Sequence, residues 1–506
     1  MLLVIVGCTA APAASPSPTT TPDTVTRGGQ LRVVQSLDIT TLDPWTASDP
    51  DTLEAMRQIY EPLVDLDPVT LRPVPLLATK WAASADAKVW TFTLRSGVKF
   101  QDGTAFDAAA VVYDFERARS FARLDLGTLV DSVMAADAST VVFTLRTGYA
   151  PFLATLASPS FGMVSPSCVK PGPDWATPAT RCSAGTGPFR VEPGAWRTGE
   201  RLTLTRNPSY WGSDPEGRRL PFLDGVTFIA ARDENARIGG LRASGADIAL
   251  DLGPASARTL RADPNLAPTR RPYYPVVFIG ISPSGPLASA DVRRAAALSL
   301  DRDTLGRSVY AGEARVAAQL PPPGLLGFDD SVMQFTAGDV NAAKKLLSDA
   351  GLGNGVAVDL WYSPDATDAL PDPKRVADAV AADLAKAGIN ATVRTEDAAQ
   401  FQADARAGRL PLWIEARVPA RADPDEFLAD ATANPVALEL LRRARAELDD
   451  SKRAELYKQV SKLIQQDVSR IPLLYTGAPV GLTKKVHGFV ARPLGAEPLS
   501  AVWMGQ

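Results

Sequence analysis

The hydrophobic positions of this chain repeat with the period of a strand in some segments and with that of a helix in others. In residues 89–95, Trp90, Phe92 and Leu94 lie on one face and polar side chains on the other, which predicts a half-buried strand. Other segments with strand character are 28–34, 141–146, 356–362, 391–395 and the two arms of a hairpin between 187 and 206.

Helical spacing is clearest in residues 451–468, where the apolar side chains form one stripe. The other segments with this pattern are 52–60, 108–118, 291–299, 339–349 and 376–386. Asp107 stands at the N-cap position of the helix predicted over 108–118. A strand, a helix and a strand follow each other in residues 356–395, which indicates a parallel crossover. The chain is therefore predicted to be mixed α/β.

The length, charge and hydrophobicity of the chain limit the number of domains and the class of partner. The chain has 506 residues, 45% of them hydrophobic, and a single core stops growing at about 250–300 residues, so two or more domains are expected. The 53 basic residues are balanced by 57 acidic ones, which disfavours nucleic acid as a partner. After the N-terminus, no apolar stretch approaches the ~20 residues of a membrane span.

The N-terminus contains a candidate lipidation site. Ile5-Val6-Gly7-Cys8 resembles the lipobox of bacterial lipoproteins, and residues 9–26 are rich in Ala, Pro, Ser and Thr, as in a flexible tether. No positive segment precedes the short apolar run, so we expect the true start to lie upstream. The predicted protein is exported and lipid-anchored through Cys8. The alternative is a ragged hydrophobic terminus with an incidental cysteine.

Two further cysteines, Cys168 and Cys182, lie in one loop rich in Pro, Gly and Ser. In an exported protein this pair predicts a local disulfide. Two free thiols are the alternative, and a metal site is disfavoured because neither histidine nor another cysteine is near in sequence.

The motifs of common catalytic sites are missing. The chain has one histidine, His487, which disfavours catalytic triads and histidine-rich zinc sites. The sequence contains no GxSxG, HExxH, Walker A or CxxC motif. A hydrolase that uses two carboxylates is not excluded by counting. The sequence therefore favours a binding protein, without catalytic activity, metal or cofactor.

A series of short motifs lies in order along the chain. The longest is residues 90–103, WTFTLRSGVKFQDG. The others are GQLRV at 29–33, TLDP at 41–44, IYEPLV at 59–64, LLATKW at 76–81, GTGPF at 185–189, RNPSYW at 206–211, DVRRA at 291–295 and DPDEFL at 423–428. This ordered series resembles family-5 extracellular solute-binding proteins of ABC importers, the group of oligopeptide-, dipeptide- and nickel-binding proteins, and residues 90–103 look like that family's signature.

The resemblance implies an α/β fold of two lobes, of the type II periplasmic-binding-protein kind with an extra inserted domain, that closes by a hinge around a central cleft. The implied boundaries are 1–27 for the truncated signal and tether, 28–72 with 184–272 and 477–506 for lobe I, 73–183 for the inserted domain and 273–476 for lobe II. The chain would cross between the lobes near Arg271-Pro272 and Tyr475-Thr476.

The resemblance also implies a function, namely the capture of peptides or peptide-like solutes for a membrane permease with a cytoplasmic ATPase, by a monomer tethered to the membrane. Asp423 is near the acidic position that contacts the ligand amine in peptide binders. The other candidate cleft residues are Trp413, Glu415, Arg417, Tyr273, Tyr274, Trp361 and Tyr362, although aromatic side chains more often pack in cores. A different solute (a metal chelate, an opine or an oligosaccharide), a secreted hydrolase, and an adhesion or signalling receptor remain alternatives.

Overall fold

The computed structural model describes residues 25–118, 126–168, 184–329 and 338–505. Among these residues, the largest sheet has seven strands, and strand Gln30–Gln35 lies at its centre, parallel to both neighbours. In spatial order the strands are Thr269–Arg270, Pro479–Leu482, Ile248–Ala249, Gln30–Gln35, Gly225–Ala230, Arg201–Arg206 and Phe189–Arg197. We call this sheet and the elements packed on it the first lobe.

A second large sheet has six strands in the described chain. In spatial order they are Arg315–Val316, Arg470–Tyr475, Val276–Ile281, Leu412–Arg417, Val356–Tyr362 and Ile389–Thr395. Strand Val356–Tyr362 is parallel to Ile389–Thr395 and to Leu412–Arg417, so the predicted crossover is confirmed. Gly280, on the central strand, lies under the Trp413 ring, where an added Cβ would come within 2.1 Å of the indole. We call this sheet and its helices the second lobe.

A four-stranded antiparallel sheet packs against the core of the first lobe. Its strands, in spatial order, are Ala78–Ala83, Val89–Leu94, Thr140–Leu145 and Val130–Asp137. Phe92 and Phe143 meet edge to face across neighbouring strands, with ring centroids 5.5 Å apart. Two ribbons complete the described strands, Val64–Leu66 with Pro73–Pro75 and Val486–His487 with Trp503–Met504.

The helices pack on these sheets or connect them. The α-helices are Pro50–Ile59, Ala108–Ala118, Leu126–Leu129, Phe152–Leu156, Glu234–Arg242, Ser256–Arg261, Ala290–Ser299, Arg302–Val309, Val340–Asp349, Pro373–Ala387, Ala398–Arg406, Asp425–Leu428, Pro435–Ala446 and Asp450–Asp467. Short 3-10 turns are Pro159–Phe161, Gly285–Ala288 and Ala429–Ala431. Asp107 accepts a hydrogen bond from the Ala110 N–H at 3.0 Å, so the predicted cap is present. No helix in the described ranges is long and apolar enough to cross a membrane.

Candidate binding cleft between the two lobes

Two chain segments cross side by side from the first lobe to the second. One runs from Arg271 to Pro275, and the other runs back from Thr476 to Ala478. The Thr476 N–H donates to the Pro275 carbonyl at 2.9 Å, and the Arg271 N–H donates to the Ala478 carbonyl at 3.0 Å. An added Cβ on Gly477 would lie 2.4 Å from the Arg271 carbonyl oxygen, so the segments approach as closely as they do because this residue has no side chain. The lobes are therefore joined by two adjacent chain segments that are hydrogen-bonded to each other.

A cavity of about 760 Å³ opens between the lobes beside these crossings. Its walls come from the carboxyl ends of two parallel strand pairs, which is where open α/β sheets place ligand sites. In the first lobe, residues 36–37 follow strand Gln30–Gln35, and residues 250–251 follow its parallel neighbour. In the second lobe, residues 366–369 and 418–421 follow two strands that are also parallel. Parts of residues 48–71, 154–161 and 492–496 and the crossings complete the lining.

Three carboxyl groups line this cavity: Asp51 and Asp251 from the first lobe and Asp368 from the second. Burial and the negative charge of Asp251 raise the pKa of both of the others. Among the described residues, none of the three has an ion pair with a Lys, Arg or His within 4.0 Å. Neighbouring carboxylates repel each other, which favours a proton on Asp51 and on Asp368.

The proton affinity of Asp51 follows from its surroundings. Only 4% of Asp51 is exposed. Burial and the neighbouring Asp251 carboxylate raise the pKa of Asp51 to about 8, although the Leu37 N–H and the Ser36 hydroxyl donate hydrogen bonds to it. Asp51 is therefore mostly protonated at neutral pH.

Asp251 links the cluster to the backbone of the first lobe. Its carboxylate accepts from the Ser36 N–H at 2.8 Å, and Arg237 donates to its main-chain carbonyl. Its φ of 54° lies in the left-handed region, which a residue other than glycine rarely adopts. Such strain persists where the surroundings fix it, often at functional sites.

Asp368 brings the second lobe into the cluster. Its side chain is exposed in the cavity. Desolvation by the protein around it and the charge of Asp251 raise the pKa of Asp368, against the opposing charges of Arg271 and Arg237. The charge of Asp251 in the first lobe therefore acts on Asp368 in the second.

Beside this cluster lies a buried ion-pair network. Arg271 donates two hydrogen bonds of 2.8 Å to Glu497 and one of 3.3 Å to Glu54. Burial opposes ionisation of Glu497, yet Arg271 lowers its pKa to about 2. Burial and the charge of Glu497 raise the pKa of Glu54 well above its usual range. The hydrogen bonds of Arg271 are thus directed to these two glutamates and not to the aspartate cluster.

A cation and two apolar side chains line the cavity elsewhere. Arg421 has its closest ion-pair contact with Glu426, at 3.5 Å, and keeps 36% of its side chain exposed. Leu37 of the first lobe is 42% exposed, and Val418 of the second lobe is 55% exposed. The cavity therefore offers carboxyl groups, a guanidinium and apolar surface to one ligand.

The eight cleft residues predicted from sequence all lie in described parts of the chain, and none of them lines this cavity. Asp423 is 3% exposed, accepts from the Tyr457 hydroxyl at 2.7 Å and lies 3.6 Å from Arg453. Its carboxylate is thus satisfied inside the second lobe. Contact between Asp423 and a ligand stays a prediction that the lining of the cavity does not support.

The other predicted residues also have partners within the fold. Trp413 packs in a small core and donates to Glu415 at 3.2 Å. Arg417 donates to the Glu426 carbonyl at 3.0 Å. The Tyr273 ring lies between two guanidinium groups, with that of Arg270 at 4.0 Å.

The three remaining aromatic residues are packing residues in this structure. Tyr274 meets Phe427 edge to face and is 1% exposed. Tyr362 belongs to the core of the second lobe, and Trp361 packs against the cluster around Trp413.

Of the cysteines, Cys168 is disulfide-bonded. Cys182 and Cys8 lie outside the described residues, so the predicted pairing and the lipid anchor stay predictions. His487 stacks on Trp503 with ring centroids 4.1 Å apart. The described residues contain no cluster of His, Cys, Asp and Glu that could hold a metal ion.

Sequence reasoning missed Asp51, Asp251, Asp368 and Arg421. One signal was available for Asp251, since it follows the apolar run Ile248–Leu250, which contains strand Ile248–Ala249. The pairing of that strand with residues 30–35 was not readable from the sequence. The residues that line the cavity come together only through topology.

These features define a class: a two-lobed α/β protein with a ligand-sized cavity between its lobes. The family model "Bacterial extracellular solute-binding proteins, family 5 Middle" matches residues 72–436. The chain belongs to this family. Membership makes it a solute-binding protein and not an enzyme, as the sequence predicted.

Individual relatives agree with this assignment. The chain is similar to the dipeptide-binding protein of Escherichia coli K12, with 28% identity over 475 residues that cover 86% of this chain and 87% of the relative. It is 26% identical over 483 residues to heme-binding protein A of Haemophilus influenzae, covering 88% and 87% of the two chains. The solved structure of HbpA2 from Haemophilus parasuis superposes with a TM-score of 0.85 at 25% identity, over 94% of this chain and all of that one. The predicted two-lobed fold is confirmed.

Proposed function

We propose that this protein is the extracytoplasmic component of an ABC importer that captures short peptides or peptide-like solutes between its lobes and delivers them to the membrane permease. The cavity of about 760 Å³ lies within the ~300–1,000 Å³ typical of small-molecule sites. The name of the Escherichia coli relative, a dipeptide-binding protein, supports a ligand of this kind.

The observation that carries the proposal is the separation of charge within the cavity. The carboxyl groups are Asp51 on the first turn of helix Pro50–Ile59, Asp251 after strand Ile248–Ala249, and Asp368 on the 366–369 loop. Arg421 follows strand Leu412–Arg417 of the second lobe. A short peptide has an ammonium at one end and a carboxylate at the other, so it complements both groups. Leu37 and Val418 supply apolar surface for its side chains.

The connection between the lobes suits capture by closure. We infer that residues 28–72, 184–272 and 477–506 move as one lobe, with 73–183 inserted into it, and that 273–476 move as the other. The strands of each large sheet fall within these ranges, which supports the division. Hinge motion needs a few residues at element ends, and the paired crossings at 271–275 and 476–478 fit that description.

We further propose that the protein is held at the outer face of the membrane by a lipid on Cys8, with residues 9–26 as the tether. Replacing Cys8 with Ala, in a gene that carries the full signal, should release the protein from the membrane fraction. Retention of Cys8→Ala in that fraction would contradict the anchor.

The proposed function is tested by thermal-shift measurement with pools of di- and tripeptides. A ligand that binds the folded state raises its stability by RT ln(1 + [L]/Kd), so a pool that contains a ligand raises the melting temperature. The matched control is the same pool with acetylated amino termini and amidated carboxyl termini, which removes both charges. A shift with the first pool and a smaller one with the second is expected. Stabilisation by neither pool, with stabilisation by an oligosaccharide or a metal chelate, would overturn the peptide assignment.

A further inference from the structure

The turn at residues 67–72 reaches from the first lobe to the second. It connects strands Val64–Leu66 and Pro73–Pro75, and Val64 and Leu66 pack in the core of the first lobe. We propose that this turn is a clasp, whose Leu71 side chain packs into the core of the second lobe and favours the closed form before a ligand arrives. The inference goes beyond the proposed function, since it concerns the ligand-free protein.

The packing of Leu71 is the observation that carries the proposal. Leu71 is 7% exposed and belongs to a hydrophobic cluster whose other buried members, among the described residues, all come from residues 273–476. These members include Tyr274 and Phe427. A Cβ added to Gly324 of the second lobe would lie 3.9 Å from the Leu71 Cδ1. The first lobe therefore contributes a buried leucine to a core of the second.

The turn that presents Leu71 is fixed by its own hydrogen bonds. The Asp67 carboxylate accepts from the N–H groups of Val69 and Thr70 at 3.0 and 2.7 Å. The Leu71 N–H donates to the Asp67 carbonyl, and the Asp67 N–H donates to the Arg72 carbonyl, both at 2.9 Å. Leu71 has a φ of 57°, in the left-handed region that a leucine rarely adopts. A preorganised turn has little conformational freedom left to lose when it packs.

Two polar contacts accompany this packing between the lobes. Arg72 donates to Asp450 at 2.7 Å, and the Ala150 N–H, after strand Thr140–Leu145, donates to the Arg445 carbonyl at 2.5 Å. The ion pair is exposed, and such pairs contribute little stability. The apolar contact of Leu71 is therefore the part of the clasp that we expect to control closure.

The size of the effect follows from the burial of one side chain. Separation of the lobes at this turn would withdraw Leu71 from the cluster and expose it to water. Burial of a leucine side chain shifts an equilibrium constant by roughly tenfold to a hundredfold. A ligand that binds the closed form has an apparent affinity proportional to the closed fraction of the free protein. The clasp would therefore raise the affinity for any solute of the cavity.

The test is small-angle X-ray scattering of the ligand-free full-length protein, because its result does not depend on which solute binds. Leu71→Ala removes the apolar contact, and Leu71→Asn removes it with a residue that tolerates the left-handed conformation. The controls are Leu71→Met, which nearly conserves the volume, and Val69→Ala, which changes an 83% exposed side chain of the same turn. We expect a larger radius of gyration for Leu71→Ala and Leu71→Asn and the wild-type value for both controls. Cooperative thermal unfolding verifies that each variant is folded.

Calorimetry with a ligand found in the pools above gives a second readout. Leu71→Ala should bind about tenfold or more weakly than the wild type, in proportion to its smaller closed fraction. Leu71 also lines the cavity, so a loss of affinity alone would be explained by a lost ligand contact. The scattering of the ligand-free protein distinguishes the two explanations.

A wild-type radius of gyration in both Leu71→Ala and Leu71→Asn would overturn the clasp, whatever happens to affinity. An equal increase in Val69→Ala would also overturn it, since that side chain is exposed. A larger radius of gyration in the two Leu71 variants alone supports the clasp. That result would stand even if no peptide binds, in which case the peptide assignment fails and the clasp does not.

Discussion

Two aspartates that line the same cavity, Asp65 and Asp51, are neutralised in different ways. Asp65 lies between Arg57 and Arg492, with the Arg492 contact at 2.8 Å. Burial opposes its ionisation, yet the two guanidinium groups lower the pKa of Asp65 to about 2. Asp51, by contrast, has a second carboxyl group as its neighbour, and its pKa is raised to about 8. The protein neutralises one acid with its own arginines and the other with a proton.

The difference separates a structural acid from a candidate binding acid. A pair of permanent charges fixes Asp65 between helix Pro50–Ile59 and the segment that contains Arg492. A proton is exchangeable, so the charge at Asp51 and Asp251 is available to a cation from outside. Three predictions test whether these two acids differ in this way.

The largest effect is expected for stability at Asp65. Asp65→Ala leaves two arginines facing each other at a half-buried site, and removal of one partner of a buried pair costs ~3–5 kcal/mol. We expect a loss of about 3 kcal/mol in the free energy of unfolding of the ligand-free protein, measured by urea denaturation.

Its control is Lys345→Ala, which removes an exposed pair with Asp349. Lys345→Ala should change the free energy of unfolding by no more than about 0.5 kcal/mol. If Asp65→Ala lowers the free energy of unfolding as little as Lys345→Ala does, the ion pairs of Asp65 do not have the structural role described here.

The next effect concerns ligand affinity at Arg421. Arg421→Ala should weaken dipeptide binding about tenfold or more, because it deletes a charged group that faces the ligand carboxylate. Arg417→Ala is the matched control, since Arg417 was predicted from sequence and lies outside the cavity. If calorimetry shows that Arg417→Ala loses more dipeptide affinity than Arg421→Ala, the site predicted from sequence is favoured.

The last prediction concerns the pH dependence of stability. The folded protein keeps the Asp51 proton up to about pH 8, whereas the unfolded chain loses it near pH 4, so the free energy of unfolding should fall as pH rises between these values. Asp65 and Glu497, with pKa values of about 2, act in the opposite sense, and their stabilisation is lost as pH falls from about 5 to 2.

Asp51→Asn should make the alkaline side of this profile less steep and should be more stable than the wild type at pH 8.5. The acidic side should be unchanged. Urea denaturation between pH 3 and pH 9 measures both, and an alkaline slope as steep in Asp51→Asn as in the wild type would show that Asp51 does not hold the proton.

Much of the fold was predictable because its signals are local. The alternation of residues 89–95 matches strand Val89–Leu94, and the stripe in residues 451–468 matches helix Asp450–Asp467. The helix predicted over 52–60 begins at Pro50, because Asp49 accepts a hydrogen bond from the Thr52 N–H and caps it. Periodicity and caps depend on neighbours in sequence, which one sequence shows.

The candidate site was not predictable because it is formed by residues that are far apart in sequence. Asp51 and Asp251 are 200 positions apart in sequence, and Asp368 follows a strand of another sheet. Apart from the apolar run before Asp251, nothing near these residues distinguishes them from other acids on loops and helix ends. Asp423, which family resemblance singled out, is bonded to Tyr457 in the second lobe. Sheet order and lobe contact decide which acids face the cavity.

The most direct test of the account is a crystal structure of the protein purified from rich medium with its retained solute, identified by native mass spectrometry. We predict a short peptide or peptide-like mass, and density between the lobes with a cationic nitrogen within hydrogen-bond distance of Asp251 and a carboxylate near Arg421. A retained solute bound elsewhere, or one in the cavity that lacks a cationic group, would contradict the account.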